Sequence, residues 1–177
     1  MPLKKLKNSL EGEFYTDKFM QTIYATDASI YRETPLAVAF PKSKDDLKKL
    51  ILFTIQHKIS LIPRTAGTSL AGQCVGDGII VDVSKHFTKT LNISKEEKTV
   101  TVQPGVIRDV LNIELKKHNL FFGPETSTAN RAMIGGMVGN NSSGSNSIKY
   151  GVTRDHIVEI EAFLSDGSLV VFKELSI

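Results

Sequence analysis

Residues 35–72 run PLAVAF (35–40), PKSKDDLKKLILFTIQHK (41–58), ISLIP (59–63) and RTAGTSLAG (64–72). The first piece is a short apolar run closed by Pro41, the pattern of a buried strand. In the second, Ser43 is a good N-cap with Asp46 three residues on, and Leu47, Leu50, Ile51, Thr54 and Ile55 follow at helical spacing, so a helix runs to about His57. Ile59 to Ile62 predicts the next strand, stopped by Pro63. Strand, helix, strand in this order predicts a parallel pair.

Outward from this unit the signals continue. Residues 1–34 form a polar lead-in with a short helical pattern at Leu3, Leu6 and Leu10. Ile79 to Val83 predicts a strand. Thr88–Ile93 and Thr99–Val102 predict two more, split by a charged turn over 94–98. Gly105 opens a helix with Ile107, Val110, Leu111 and Leu115 on one face. Ile157–Leu164 and Ser168–Phe172 flank Asp166-Gly167, a hairpin signal. The expected class is α+β: a lead-in (1–34), then one domain over 35–177 with a small β-α-β lobe and a mixed or antiparallel sheet lobe.

Composition narrows the function classes. The 177 residues are 41% apolar and 23% charged, as in ordinary globular proteins. The net charge of +3 comes from scattered lysines with no Arg–aromatic stripe, which argues against a nucleic-acid partner. No apolar run approaches the ~20 residues of a membrane span, and no signal peptide is visible. Cys74 is the only cysteine, so no intrachain disulfide forms and a reducing, cytoplasmic location is expected, with peripheral membrane contact left open. A lone cysteine is more often packed than nucleophilic. No Cys/His set has metal spacing, so no metal is expected.

Two small-residue segments carry the chemistry. In Arg64–Gly72, which leaves a strand, short side chains let consecutive N–H groups converge on an anion, and Thr65, Thr68 and Ser69 add hydroxyls. It is neither a Walker loop nor a Gly-x-Gly-x-x-Gly fingerprint. The second segment spans 123–151, with five glycines and three asparagines between Gly135 and Gly151. Such composition suits a flexible linker. Met133, Ile134, Met137, Val138, Tyr150 and Val152 favour instead a loop wrapped on a ligand. Gly135 and Gly136 would let backbone approach a flat ring, and Asn140 and Asn141 tolerate positive φ.

These motifs, with Tyr24–Tyr31, Gln103–Val106 and Tyr150–Asp155, resemble the FAD-binding (PCMH-type) domain of the vanillyl-alcohol oxidase / p-cresol methylhydroxylase flavoproteins. Within that family the chain is most similar to the D-lactate, glycolate and D-2-hydroxyglutarate dehydrogenases. The resemblance implies oxidation of a D-2-hydroxy acid by hydride transfer to non-covalently held FAD. It implies that Arg64, Thr65, Ala66, Gly67, Thr68, Ser69 and Leu70 hold the pyrophosphate. Pro124, Thr126, Ser127, Met133, Ile134, Gly135 and Gly136 would lie along the ribityl chain and ring. Asn140, Asn141, Ser143 and Gly144 would complete the cradle, Tyr150 and Gly151 would close it, and Ile157, from the following strand, would meet the adenine end. The same scaffold also carries sugar-acid oxidases, cell-wall precursor reductases and non-catalytic FAD modules, which are the alternatives.

The chain departs from the pattern in two ways. The first loop usually reads Arg-Gly-Gly-Gly-Thr-Ser, and here Thr65 and Ala66 replace two glycines. Family members also continue into a substrate domain, some with an iron–sulfur region. The chain therefore reads as a C-terminally truncated fragment, inactive alone, whose electron acceptor the residues do not name. No catalytic residue is assigned. His57, His86, His118 and His156 are candidates by chemistry only, each read first as a helix-end, turn or surface residue.

Overall fold

A computed structural model describes residues 2–174. In chain order the elements are α1 (Pro2–Ser9), β1 (Glu13–Tyr15), α2 (Lys18–Ile23), β2 (Ala37–Phe40), α3 (Lys44–His57), β3 (Leu61–Arg64), β4 (Ile79–Asp82), β5 (Thr90–Ser94), β6 (Thr99–Val102), α4 (Arg108–Lys116), α5 (Ile134–Asn140), α6 (Ser147–Tyr150), a 3-10 turn (Thr153–His156), β7 (Glu159–Phe163) and β8 (Leu169–Lys173). They form two compact units. One holds residues up to 83 together with 158 onward, and the other holds 84–157.

The first unit is built on a sheet of order β1-β2-β4-β3. β2 and β3 both pair in parallel with β4, and β1 is antiparallel to β2. The strands of the β-α-β unit are thus parallel but not adjacent, because β4 inserts between them. That insertion places β3 at the edge, and the edge explains Pro63. Expected to stop the strand, Pro63 instead lies inside β3 opposite Val81, since an edge strand tolerates a residue that cannot donate to a ladder.

β2 and β4 are buried at every residue. The capping expectation for α3 is met: the Ser43 hydroxyl accepts the Asp46 N–H at 3.2 Å. Lys58 ends the helix in the left-handed region at φ 52°. Asp46, Leu50 and Thr54 are its buried residues, while Ile55, expected on that face, is exposed.

Residues 1–34 contribute to this core. Leu6 and Phe14 are buried with Ala37, Ala39, Leu50, Ile79 and Val81. Asp46 ties them in, accepting the N–H groups of Glu11 and Gly12 at 2.9 Å each and of Lys42 at 3.0 Å.

The β7–β8 hairpin belongs to the first unit, where Lys44 pairs with Glu161. Its turn is longer than the Asp-Gly pair alone. Gly167 donates to Leu164 O and Leu164 donates to Ser168 O, so residues 165–167 form the loop, with Gly167 at φ 81°. This is the three-residue hairpin loop with glycine at the left-handed position.

In the second unit β5 and β6 form an antiparallel hairpin. Its core is Val106, Leu111, Leu115, Ala132, Ile134 and Met137. Of the face expected on α4, Leu111 and Leu115 are buried, Ile107 precedes the helix as its N-cap, and Val110 is exposed. The glycine-rich stretch, expected as a continuous loop, contains α5 and α6. Burial of Ile134 and Met137 outweighs the poor helix propensity of glycine.

Candidate functional site

In the first unit the chain leaves β3 at Arg64 and enters the small-residue loop. Gly67 takes φ 65°, whereas Thr65 and Ala66 stay out of the left-handed region. The two replaced glycines therefore cost the loop nothing, because neither Thr65 nor Ala66 needs glycine's conformational freedom. Among the described residues no acceptor takes the backbone N–H groups of Thr65, Ala66, Gly67, Thr68 or Leu70, whereas the Ser69 N–H is directed at the Cys74 sulfur. Five half-buried or exposed donors within six residues, without internal partners, suit a polyanion. Ser69 departs from its expected role. Its hydroxyl donates to Gln73 Oε1 at 2.8 Å and accepts from Ala71 and Gln73 N–H groups, so it shapes the turn.

The Arg64 side chain folds back under this loop. Its Nη1 donates to Thr26 O at 2.9 Å and Cys74 O at 3.4 Å, and its guanidinium lies 4.9 Å from the Tyr24 ring centre. Tyr24 donates to the buried Asp82 at 2.7 Å. Burial first, and then the Asp82 carboxylate, raise the Tyr24 pKa well above the usual tyrosine value.

Cys74 is buried, and its thiol donates to Asp27 Oδ2 at 3.4 Å. Burial pushes its pKa up to about 11. Asp27 is pushed up by burial too, but hydrogen bonds from Ser29 and Cys74 outweigh that and hold its carboxyl below the usual range. A thiol needs its thiolate to react. Cys74 should therefore stay essentially unreactive toward a disulfide reagent at pH 7–8 and gain rate only as pH climbs toward 11. A plateau of reactivity already reached by pH 9 would contradict the burial assigned here.

In the second unit the glycines pack the 123–151 segment tightly. A Cβ on Gly144 would lie 2.0 Å from Glu125 O, and one on Gly135 would lie 2.4 Å from Pro104 Cβ. What Gly135 approaches closely is thus Pro104 of the chain itself. Ile134 and Gly135 spend their N–H groups on Val106 O and Pro104 O, and the Ile134 side chain is buried in the core. Pro124 is fully buried. Thr126 and Thr128 hydroxyls lie 3.4 Å apart. Met133 caps α5 at its start, Gly136 lies within the helix, and Ser127, Asn140 and Ser143 are exposed. Asn140 is helical, so only Asn141 uses positive φ, at 48°. Tyr150 ends α6 and packs edge-on against Phe121, and Gly151 follows at φ 70°. Ile157 lies before β7 as the cap of the 3-10 turn, its N–H taken by Arg154 O.

Several residues that hold this segment in place carry no sequence signal as strong as its glycines. Arg108 donates from Nε to Pro124 O at 3.0 Å, and Asn112 exchanges two bonds with the Phe122 backbone. Their i, i+4 spacing on α4 was the available signal. Thr153, fully buried, donates to Ser142 O at 2.6 Å. Asn146 bonds Glu125 at 2.6 Å. His156 sits 2.6 Å from Tyr150 O, a structural contact.

Gly144→Ala should cost about 1–3 kcal/mol, because the new methyl meets backbone and something must shift. By contrast, a Cβ on Gly139 of α5 meets nothing within 4 Å. Gly139→Ala should therefore be neutral or stabilise by up to about 1 kcal/mol. Paired thermal melts would check both, and equal effects would remove the distinction between the two glycines.

The family model described as "FAD binding domain" matches residues 35–173. The chain belongs to this FAD-binding domain family. It is 43% identical over 169 residues to the D-2-hydroxyglutarate dehydrogenase of Pseudomonas putida, covering 93% of this chain and 17% of that protein. It is 35% identical over 150 residues to a glycolate oxidase subunit of Bacillus subtilis, covering 84% of this chain and 32% of the other. Thus the chain spans between about one sixth and one third of these relatives' length. Its fold matches crystalline p-cresol methylhydroxylase with a TM-score of 0.80 at 15% identity, over 96% of this chain and 34% of that one. This likeness establishes the PCMH-type fold of the FAD-binding domain. Among the described residues no helix is long and apolar enough to cross a membrane, and no His/Cys/Asp/Glu group could hold a metal.

Proposed function

We propose that this FAD-binding domain serves a flavin-dependent dehydrogenase of D-2-hydroxy acids. The single observation that carries the cofactor half is the set of five N–H donors at Thr65–Thr68 and Leu70 without internal acceptors. That donor set fits a diphosphate: it offers amides and the Thr65 and Thr68 hydroxyls and no carboxylate. The substrate half is supported by the relatives' names, since 2-hydroxyglutarate and glycolate both carry a hydroxyl next to a carboxylate.

In this reading the Thr65–Leu70 amides hold the diphosphate. Pro124, Thr126, Ser127, Met133, Gly135 and Gly136 border the rest of the cofactor, with Asn140, Asn141, Ser143, Gly144, Tyr150, Gly151 and Ile157 around it. The bound flavin supplies hydride acceptance from the substrate's α-carbon. The chain's own residues bind and orient, and the packed Gly144–Glu125 and Gly135–Pro104 contacts keep the second segment rigid. Substrate groups, the electron acceptor and any iron–sulfur cluster would lie outside the matched span. A reducing, cytoplasmic location goes with the buried free thiol of Cys74.

Titration of the purified chain with FAD, followed by flavin fluorescence, tests the cofactor half, with saturable one-to-one binding expected. Anaerobic mixing of the full-length protein with D-2-hydroxyglutarate, D-lactate or glycolate tests the substrate half, with bleaching of the flavin by one of them expected. A flavin-loaded full-length protein that none of the three reduces would sink the hydroxy-acid assignment while leaving FAD binding intact.

A further inference from the structure

Tyr24–Tyr31 lies next to the phosphate loop rather than ahead of it as a mere lead-in. It meets the loop region at several places. Thr26 O accepts Arg64 Nη1 at 2.9 Å. Ala28 N–H donates to Gly67 O at 3.1 Å. Asp27 accepts the Cys74 thiol at 3.4 Å. The Tyr31 ring stands 2.7 Å from where a Cβ on Gly72 would be, with Gly72 at φ 69°. Tyr24, whose ring faces the Arg64 guanidinium, is itself pinned to Asp82. Asp82 pairs with Arg64 in the β3–β4 register, so the carboxylate and the guanidinium flank one phenol ring.

Arg64 is the centre of this arrangement. Its Nη1 is committed to two carbonyls, Thr26 O and Cys74 O. Its Nη2, Cζ and Nε lie 2.5, 2.9 and 3.0 Å from the place of a Gly67 Cβ. The guanidinium therefore fills the space under Gly67, the first of the loop's two positive-φ residues. An arginine held in this way supports the loop from inside, and the amides of Thr65–Thr68 and Leu70 are left for a ligand.

We propose that Tyr24–Tyr31 is a clasp for the phosphate loop and that Arg64 is a positioning residue, shaping the loop from beneath without touching the diphosphate. The proposal rests on the FAD reading above and assigns roles within that site. Its physical basis is pre-organisation: a loop ordered before the anion arrives spends less binding free energy on ordering itself. The guanidinium's planar fork and its stacking on Tyr24 cannot be reproduced by an ammonium.

The test compares wild type with Arg64→Lys and Arg64→Met in two measurements. One is an amide NMR titration with ADP, which carries the diphosphate without the flavin. The other is the rate at which Cys74 reacts with a disulfide reagent in the ligand-free proteins, at a fixed mildly alkaline pH.

In the wild type the Thr65–Leu70 amide signals should move with ADP while the Arg64 Nε–H signal stays in place. Arg64→Lys, despite its charge, should bind ADP at least about tenfold more weakly, as should Arg64→Met. Both variants should expose Cys74 and speed its reaction by about tenfold, reflecting an opened clasp. A shift of the Arg64 Nε–H signal on ADP binding would make the side chain a direct ligand and overturn the proposal. So would wild-type affinity in Arg64→Lys alongside loss in Arg64→Met, because charge alone would then suffice. If no loop amide of the wild type responds to ADP, the loop is not the diphosphate site and the FAD reading of it fails. The clasp is then judged by Cys74 alone: faster reaction in both variants upholds it, and unchanged rates overturn it. Global unfolding would be recognised by collapse of the whole amide spectrum, and the comparison would then pass to Tyr24→Phe, which keeps the ring but drops the bond to Asp82. A faster Cys74 in that variant supports the clasp, and an unchanged one counts against it.

Discussion

Gly67→Val should weaken FAD binding by more than about a hundredfold while leaving the chain folded. The residue stands at φ 65°, where a β-branched side chain is strained by about 1–3 kcal/mol. Its Cβ would also come within 2.5 Å of the Arg64 guanidinium. Making room means moving Arg64 off Thr26 O and Cys74 O, bonds to a charged donor worth about 1.5–3 kcal/mol each. Even part of that total exceeds the roughly 3 kcal/mol that a hundredfold represents. The cost falls on the loop, since the sheet beneath it does not depend on Gly67. Flavin fluorescence titration reads the affinity, and far-UV circular dichroism checks the fold. Ala66→Gly, which moves the loop toward the usual family spelling, should change affinity no more than several-fold, because Ala66 is unstrained. Near wild-type affinity in Gly67→Val would remove this loop from the site.

Asp46→Ala is expected to be the most destabilising single change in the first unit. The side chain is fully buried, and its two oxygens accept three backbone N–H groups, from Glu11, Gly12 and Lys42. Removing the carboxylate strands three donors at about 1–3 kcal/mol each, so a loss of about 3 kcal/mol or more follows. For a chain of this size that lowers the melting temperature by roughly 6–12 °C. Asp46→Asn should fall in between, since its amide oxygen still accepts while its NH2 faces a donor. Melts of both variants would decide. An Asp46→Ala shift below about 1 kcal/mol would mean that water replaces the carboxylate there and that the lead-in is not anchored by it.

Much of this was legible before any coordinates. Ser43 with Asp46 marked the start of α3 because capping is a local bond, made by residues three apart. The 64–72 loop stood out because only small residues let neighbouring amides converge. Reading failed where the deciding partner was remote. Nothing in the alternation of β2 or β3 says that β4 comes between them, and without that the edge position that accommodates Pro63 could not be foreseen. The α5 segment reads as a linker by composition, yet Ile134 and Met137 bury themselves in a core completed by Leu111 and Leu115 of another helix.

The sequence by itself determined the class of fold and the family and marked the two small-residue segments, because these rest on short-range patterns of size, polarity and backbone freedom. Only the tertiary structure decided which way each group in those segments faces. Arg64 stood in the expected pyrophosphate loop, and the fold turns its side chain to Thr26, 38 residues away, and Cys74, 10 residues away. Gly135 looked like room for a flat ring, and what it approaches closely is Pro104. Charge and size are properties of a residue, whereas direction depends on neighbours that only the folded chain supplies.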